Sequence, residues 1–179
     1  MKTLIVYESM FGDTQQIADA VAAGLSANAA GDVVDVVEVG AAPTSIGTDV
    51  DLLVVGGPTH AFSMSRPSSR QDASRQAAEH AVISQGRGIR EWLETLTLPT
   101  GLAAATFDTK VSKPHLPGSA GRAAEKRLRR KGCRIIGPAE DFFVAGTQGP
   151  LNHGEQVRAR SWGADLAFIV HGRATSSPS

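Results

Sequence analysis

The sequence predicts an α/β domain built on a doubly wound, five-stranded parallel sheet with the strand order 2-1-3-4-5. Short apolar runs alternate with amphipathic segments, which is typical of strands alternating with covering helices. The run Asp51–Val55 is apolar after its first residue, as in strands buried on both faces. Right-handed crossovers then leave few topologies, and this strand order is one of the common ones.

The first half of the chain predicts two strands around one helix. Lys2–Tyr7 is a short apolar strand. The helix Thr14–Asn28 follows, because its apolar residues recur at helical spacing. Asp32–Val39 is rich in valine and predicts a second strand, and its acidic residues indicate that one face or edge of it meets water.

The remaining elements follow in order after the third strand, Asp51–Val55. They are a moderate helix signal over Asp72–Ile83, a helix over Gly88–Leu96, a fourth strand Leu102–Phe107, a helix Ser119–Lys131, a fifth strand in two halves (Cys133–Ile136 and Phe142–Val144), and a last helix Gly154–Val170. Residues 1–170 are thus expected to form a single domain. Residues 171–179, rich in Ser, Thr and Pro, are expected to be a disordered tail.

Composition limits the classes of function. The chain has 18 basic and 18 acidic residues, so its overall charge favours neither nucleic acid nor an anionic membrane as a partner. No apolar run approaches the roughly 20 residues of a membrane span, and the single Cys133 suits a reducing compartment, so we expect a cytoplasmic protein without membrane insertion. The histidines have no ligand spacing, so we expect no metal site.

Ligands of such sheets bind beyond the carboxyl ends of the strands, where the winding reverses. For this strand order, the loops at that point are Glu8–Thr14, Gly56–Arg66 and Asp108–Gly118. These three loops are therefore the candidate binding site.

The first loop has the features of an anion site. It ends at a helix N-terminus, whose N–H groups and dipole favour negative charge. The hydroxyls of Ser9 and Thr14 add donors, and no Lys or Arg lies between residues 3 and 65. The G-x-x-x-x-G-K-[ST] and G-x-G-x-x-G patterns are absent here, which argues against an NTP-hydrolysing loop and a dinucleotide fold.

Two of these loops carry a family resemblance. Ser9-x-x-Gly12-Asp13-Thr14 resembles the flavodoxin phosphate loop, Ser/Thr-x-Thr-Gly-Asn-Thr, and Gly57-Pro58-Thr59 is similar to the flavodoxin loop beside the isoalloxazine ring. The resemblance covers roughly residues 1–170. It implies FMN as cofactor, with the binding residues Ser9, Met10, Phe11, Gly12, Asp13, Thr14, Pro58, Thr59, His60, Phe62, Phe107, Asp108 and Thr109.

The resemblance implies electron transfer or flavin-dependent reduction, with a redox partner protein or a small-molecule electron acceptor. A simple carrier and a quinone- or NAD(P)H-linked oxidoreductase both remain open. Phe107 is either strand core or a flavin wall, and His60 is either a ring neighbour or an ordinary loop residue. No residue is nominated as catalytic.

Two departures support an alternative. The family's asparagine is Asp13 here, and the third loop lacks the tyrosine that stacks on the flavin in many flavodoxins. On this alternative Asp13 or Ser9 caps the helix, and the chain is a flavin-free interaction domain. A second open question is the basic segment 122–134, which is either a solvated helix face or a docking patch for an acidic redox partner or for the phosphate of a pyridine nucleotide. Cys133 is predicted to be a core residue.

Overall fold

The computed structural model describes residues 1–27, 31–60, 63–77, 82–113 and 117–174. Its elements follow the chain in order: β1 (Lys2–Tyr7), α1 (Asp13–Leu25), β2 (Val33–Glu38), β3 (Leu52–His60), β4 (Ser63–Met64), α2 (Pro67–Gln76), α3 (Ile89–Thr95), β5 (Ala103–Val111), α4 (Ala120–Arg130), β6 (Arg134–Ile135), β7 (Glu140–Val144) and α5 (Glu155–Ala174). None of the described helices is both long and apolar enough to cross a bilayer.

The described strands form one sheet in the order β2-β1-β3-β5-β6, with β7 also on β5 and β4 on β3. The predicted fold and strand order are therefore confirmed. The predicted fourth strand is β5, and the two predicted halves of the fifth strand are β6 and β7, both parallel to β5. The structure has more strands than predicted because the fifth is split and because β4 turns back antiparallel on the end of β3.

Helices cover both faces of the sheet and enclose two apolar cores. One core lies under α3 and α4 and includes Trp92 and Leu128. The other lies under α1 and α5 and includes Ile17 and Phe142. β2 forms one edge of the sheet, and its exposed Val33 and Asp35 agree with the wetter edge that the sequence predicts.

Four boundaries differ from the prediction by four residues or more. α2 begins at Pro67 instead of Asp72, because proline suits the first turn of a helix and the Ser69 hydroxyl accepts the Arg66 N–H at 2.8 Å. β3 and β5 run on to His60 and Val111, well past the predicted ends. α5 continues through His171, so the predicted tail boundary after residue 170 is wrong; residues 175–179 lie outside the described part of the chain.

Cys133 is buried beside the α4 core, as predicted. Burial raises the pKa of its thiol to about 11. Since the thiolate is the nucleophilic form, this cysteine is unreactive at neutral pH.

Phe107 belongs to the core that lies under α1 and α5. It is fully buried, and its ring meets Phe142 and Trp162 edge-to-face at centroid distances of 6.0 and 6.1 Å. The ring also lies against the backbone of Gly56, where an added Cβ would be 2.0 Å from Phe107 Cζ. Of the two roles left open for Phe107, the structure therefore favours strand core over flavin wall.

This packing makes the side chain at position 56 a stability determinant. Gly56→Ala should lower the free energy of unfolding by about 1–3 kcal/mol, because the methyl group overpacks a rigid aromatic cluster. The measurement is urea unfolding followed by circular dichroism. Gly86→Ala is the control, because an added Cβ there meets no atom within 4 Å. Equal unfolding midpoints for the two variants would contradict the packing.

Candidate functional site

The carboxyl ends of β1, β3, β5 and β7 open into one cleft. Its lining consists of Ser9, Met10, Phe11, Asp13, Thr14, Pro58, Thr59, His60, Thr109, Lys110, Val111, Val144 and Thr147. All three loops predicted from the sequence contribute to this lining, and the loop after β7 is a fourth contributor. The cleft therefore lies at the switch point of the sheet.

The start of α1 has hydrogen-bond donors without helical acceptors. Gly12 is the N-cap residue, in the left-handed region at φ 99°, a conformation that glycine adopts without cost. The first hydrogen bond runs from the Gln16 N–H to the Gly12 carbonyl at 3.0 Å. The N–H groups of Asp13, Thr14 and Gln15 precede it, and the Gly12 position supplies no side-chain cap.

Asp13 does not cap the helix. Its carboxylate lies against the loop after β7, where an added Cβ on Gly149 would be 2.5 Å from Asp13 Oδ2. Burial raises the pKa of Asp13, and a hydrogen bond from the Leu151 N–H partly offsets that rise. The interpretation of Asp13 as a helix cap is therefore wrong, although its side chain still borders the cleft.

Ser9 shapes the loop from within. Its hydroxyl accepts the Gly12 N–H at 3.1 Å, and this hydrogen bond holds the turn. Behind the loop, Ser9 and Met10 pair with residues 83–84: the Ser84 N–H donates to the Ser9 carbonyl at 2.9 Å, and the Ile83 N–H donates to the Met10 carbonyl at 3.1 Å. The sequence analysis missed this support.

Thr14 and Thr109 join two of the predicted loops. Their hydroxyl oxygens are 2.7 Å apart, and either one can be the donor. Two hydroxyls hold two protons, and this hydrogen bond uses one of them. One O–H donor of the pair is thus left beside the uncapped start of α1.

Asp108 ties the second and third loops together behind the cleft. Its Oδ2 accepts from the Thr59 hydroxyl at 2.9 Å, from the Gly121 N–H at 3.1 Å, and from the Ser119 hydroxyl. Thr59 in turn accepts the Ala120 N–H at 2.8 Å. These bonds bind the end of β3 to the end of β5 and to the start of α4, so they fix the cleft wall.

A second buried network lies under the loop after β3. Glu8 accepts the Ile89 N–H at 2.8 Å and the Ser65 hydroxyl. Arg70 donates to Ser65 at 2.8 Å and pairs with Glu91 at 3.1 Å. Burial raises the pKa of Glu8, and these donors counteract part of the rise. Arg70 is therefore held under this loop by Ser65 and Glu91, and its side chain does not line the cleft.

The charges that border the cleft are few and mostly matched. Burial lowers the pKa of His60, and the nearby Arg70 lowers it further, so the imidazole is neutral at pH 7. Lys110 forms a salt bridge with Asp141. Among the described residues, no group of three His, Cys, Asp or Glu side chains could hold a metal ion.

The remaining predicted residues have mixed outcomes. Phe62 lies outside the described residues. Met10 buries its side chain in a small cluster with Ala73, Ala77 and Val82, so only part of it reaches the cleft. Asp108 and Phe107 lie behind the lining. The site residues predicted from the sequence did not include Lys110 and Val111, which lie on the part of β5 beyond the predicted strand end at Phe107, or Val144 and Thr147, which belong to β7 and the loop after it.

The cleft is small. Its volume is about 90 Å³, compared with ~300–1,000 Å³ for typical small-molecule sites. The enclosed part is therefore about large enough for a phosphate-sized group.

Several solved structures resemble this chain over most of its length. A flavodoxin from the domain Archaea is 18% identical, with a TM-score of 0.63, over 96% of this chain and 99% of that one. Flavodoxin 1 from Bacillus cereus is 18% identical, with a TM-score of 0.65, over 93% and 97%. A flavodiiron core from Synechocystis is 16% identical, with a TM-score of 0.63, over 97% of this chain but 36% of that one.

The sequence itself matches no protein-family model and no curated protein. The order of the strands and the helices on both faces define a doubly wound α/β domain with a cleft at its switch point. Within that class, the chain has the flavodoxin-like fold.

The buried Asp108 should make stability depend on pH. Burial, with a smaller contribution from Asp141, raises the pKa of Asp108 above 3.8. The folded state therefore binds this proton more tightly than the unfolded state, and the resulting stabilisation is lost as pH rises through the folded-state pKa. The free energy of unfolding of the wild type minus that of Asp108→Asn should fall between pH 3.8 and neutrality.

Urea unfolding at a series of pH values measures this difference. Asp72→Asn, at an exposed site, is the control and should change stability by less than about 0.5 kcal/mol throughout. A wild-type advantage over Asp108→Asn that grows with pH would contradict the assignment.

Proposed function

We propose that the protein binds FMN at this cleft and transfers electrons through it. The observation that carries the proposal is the start of α1, where three N–H groups precede the first helical hydrogen bond and no side chain in the described part of the chain caps them. Such a helix start favours a phosphate group through direct hydrogen bonds and through the helix dipole.

The residues of the cleft fit the phosphate end of the cofactor. The donors would be the N–H groups of the loop and of the first turn, together with the spare O–H of the Thr14 and Thr109 pair. Gly12 lets the backbone turn toward the ligand without a side chain in the way. Ser9 would hold the turn by accepting the Gly12 N–H, and its O–H proton remains a further donor at the loop.

The ring end would lie against the loops after β3 and β5. Pro58, Thr59 and His60 line that side of the cleft, and His60 presents a neutral imidazole. When bound, FMN supplies one- and two-electron chemistry, and the chain supplies binding, orientation and electrostatics. The similarity to flavodoxins and to a flavodiiron core supports an electron-transfer role. A carrier and an NAD(P)H- or quinone-linked reductase both fit this site.

One observation favours a second candidate function. The enclosed volume of about 90 Å³ is small for a whole flavin. A flavin-free interaction domain with the same fold would retain such a cleft for a small anion or for no ligand.

Absorbance separates the two candidates. Protein purified with added FMN and then desalted should keep flavin bands in the visible spectrum and quench the fluorescence of titrated FMN. A colourless protein that leaves FMN fluorescence unchanged at high protein concentration would reject the flavin proposal and support the second candidate.

The hydroxyl pair gives a sharper test of the phosphate end. Thr14→Val with Thr109→Val removes the spare O–H donor while nearly keeping shape. Loss of a hydrogen bond to a charged group costs about 1.5–3 kcal/mol, so the Kd for FMN should rise about tenfold or more while that for riboflavin stays nearly constant. Fluorescence titration measures both. Thr48→Val with Thr100→Val, at exposed sites, is the matched control. An equal rise in Kd for FMN and for riboflavin would show that the phosphate does not bind at this hydroxyl pair.

Asp13 should weaken the binding of a phosphate dianion. Asp13→Asn removes a like charge at the cleft border and keeps an acceptor for the Leu151 N–H. Two like charges a few ångströms apart near a protein surface repel by about 1 kcal/mol or more, so the Kd for FMN should fall about three- to tenfold at low salt. Asp19→Asn, exposed on the same helix, is the control. Unchanged or weaker binding in Asp13→Asn alone would contradict this role.

A further inference from the structure

The charges of the chain are strongly segregated along the sequence. Residues 3–65 contain no Lys or Arg and eight carboxylates: Glu8, Asp13, Asp19, Asp32, Asp35, Glu38, Asp49 and Asp51. Residues 120–134 contain one carboxylate, Glu125, and seven basic residues: Arg122, Lys126, Arg127, Arg129, Arg130, Lys131 and Arg134. The balanced total therefore conceals one strongly basic segment.

The fold places the basic segment apart from one acidic strand. β2 carries Asp35 and Glu38 at one edge of the sheet, whereas α4 packs over β3 and β5, and β6, which follows α4, pairs with β5. The acidic edge strand β2 and the strands under α4 are therefore separated by β1, and an acidic partner would be attracted to α4 and repelled from β2.

α4 presents its basic residues as a stripe. Arg122, Lys126, Arg129 and Arg130, here called the basic stripe, lie on one exposed side of the helix, while Ala124 and Leu128 face the core. At 1.5 Å per residue the stripe is about 12 Å long. Favourable interaction with the helix dipole accounts for the basic residues of the last turn, but not for Arg122 or Lys126.

Internal ion pairs leave part of this charge free. Arg129 pairs with Glu125 at 2.8 Å and Arg122 pairs with Asp141 at 3.3 Å. Lys126, Arg130 and Arg134 have no carboxylate within salt-bridge distance among the residues described by the structure. The stripe is therefore only partly neutralised by the chain itself.

A groove between α3 and α4 adjoins the stripe. It has a volume of about 260 Å³ and is lined by Leu93, Glu94, Arg127, Arg130 and Lys131. Arg127 is held there by Glu94 at 3.0 Å, and Lys131 donates to the Leu96 carbonyl at 2.8 Å. Two of the three basic side chains at the groove are thus already positioned, which lowers the entropy lost when a partner binds.

The same helix starts at the back wall of the cleft. The Ala120 N–H donates to Thr59, and the Gly121 N–H donates to Asp108, both at the ends of strands that form the site. The groove adjoins the other end of α4, so a partner lying along the whole helix would extend from the groove to the back wall of the cleft.

We propose that the basic stripe and the adjoining groove form the docking surface for an acidic redox protein; this inference rests on the proposed electron-transfer function. Charge complementarity selects the partner. Carboxylates interleave with the basic residues, and α4 contains no aromatic residue, so the surface lacks the stacking groups and uniform charge that single-stranded nucleic acid requires. A folded protein with mixed charge tolerates the interleaved carboxylates.

The test compares two variants of equal net charge. Lys126→Gln, Arg129→Gln and Arg130→Gln together neutralise the stripe, and Lys2→Gln, Arg75→Gln and Arg160→Gln neutralise three positive charges elsewhere. The probe is a fluorescently labelled acidic plant-type ferredoxin, whose binding is followed by anisotropy and stopped-flow fluorescence. The whole chain is used with and without FMN, so that this binding is scored independently of flavin content.

Electrostatic steering changes association rates by about 10–10³-fold. At low salt the stripe variant should therefore associate at least about tenfold more slowly than the wild type, the control variant should stay within about twofold, and added salt should remove the difference. If the triple variant unfolds, Lys126→Glu alone serves, with Arg160→Glu as its control.

The proposal is overturned if ferredoxin does not bind at low salt, or if the association rate falls equally in the stripe and control variants. It is also overturned if a thymidine oligonucleotide binds more tightly than ferredoxin. A salt-sensitive self-association that the stripe variant abolishes would likewise overturn it, because the surface would then bind a second copy of the chain. Ferredoxin binding by a chain that takes up no FMN would keep the docking surface and reject the proposed flavin function.

Discussion

The site depends on hydrogen-bond donors that the fold leaves without acceptors. A helix cannot satisfy its own first N–H groups, and at the start of α1 the usual side-chain remedy is absent, because Gly12 occupies the N-cap position. The Ser9 hydroxyl accepts the Gly12 N–H within the turn, and the Asp13 carboxylate lies against the loop after β7. Since the parallel sheet brings this helix start to its switch point, the unmet donors face a cleft instead of open solvent.

The wall behind that cleft is polar, and most of its polar groups form hydrogen bonds within the protein. Asp108 accepts three hydrogen bonds from the ends of β3 and α4, and Glu8 accepts two under the loop after β3. Burial raises the pKa of both carboxyl groups. Their charged forms therefore destabilise the folded state at neutral pH, while their hydrogen bonds hold the loops in place. The cleft itself is left nearly neutral, with few charged side chains of its own.

The sheet was predictable because apolar runs and helical spacing report burial directly, even for the split fifth strand around Gly137 and Pro138. The first loop was predictable because a strand end, a glycine and two hydroxyls are local features. The pairing of Ser9 with Ser84 and the turn of Asp13 toward Leu151 were not, since they join segments far apart in sequence. For the same reason, the contribution of Thr147 to the cleft required the tertiary structure.

The most direct test of the central claim observes the backbone donors themselves. In ¹⁵N-labelled protein titrated with FMN and, separately, with riboflavin, the amide resonances of Phe11, Gly12, Asp13 and Thr14 should shift strongly with FMN and little with riboflavin. Inorganic phosphate should shift the same resonances in the same direction at higher concentration. Amide shifts at these residues that are equal for both flavins, or that are absent while FMN binds, would contradict the account.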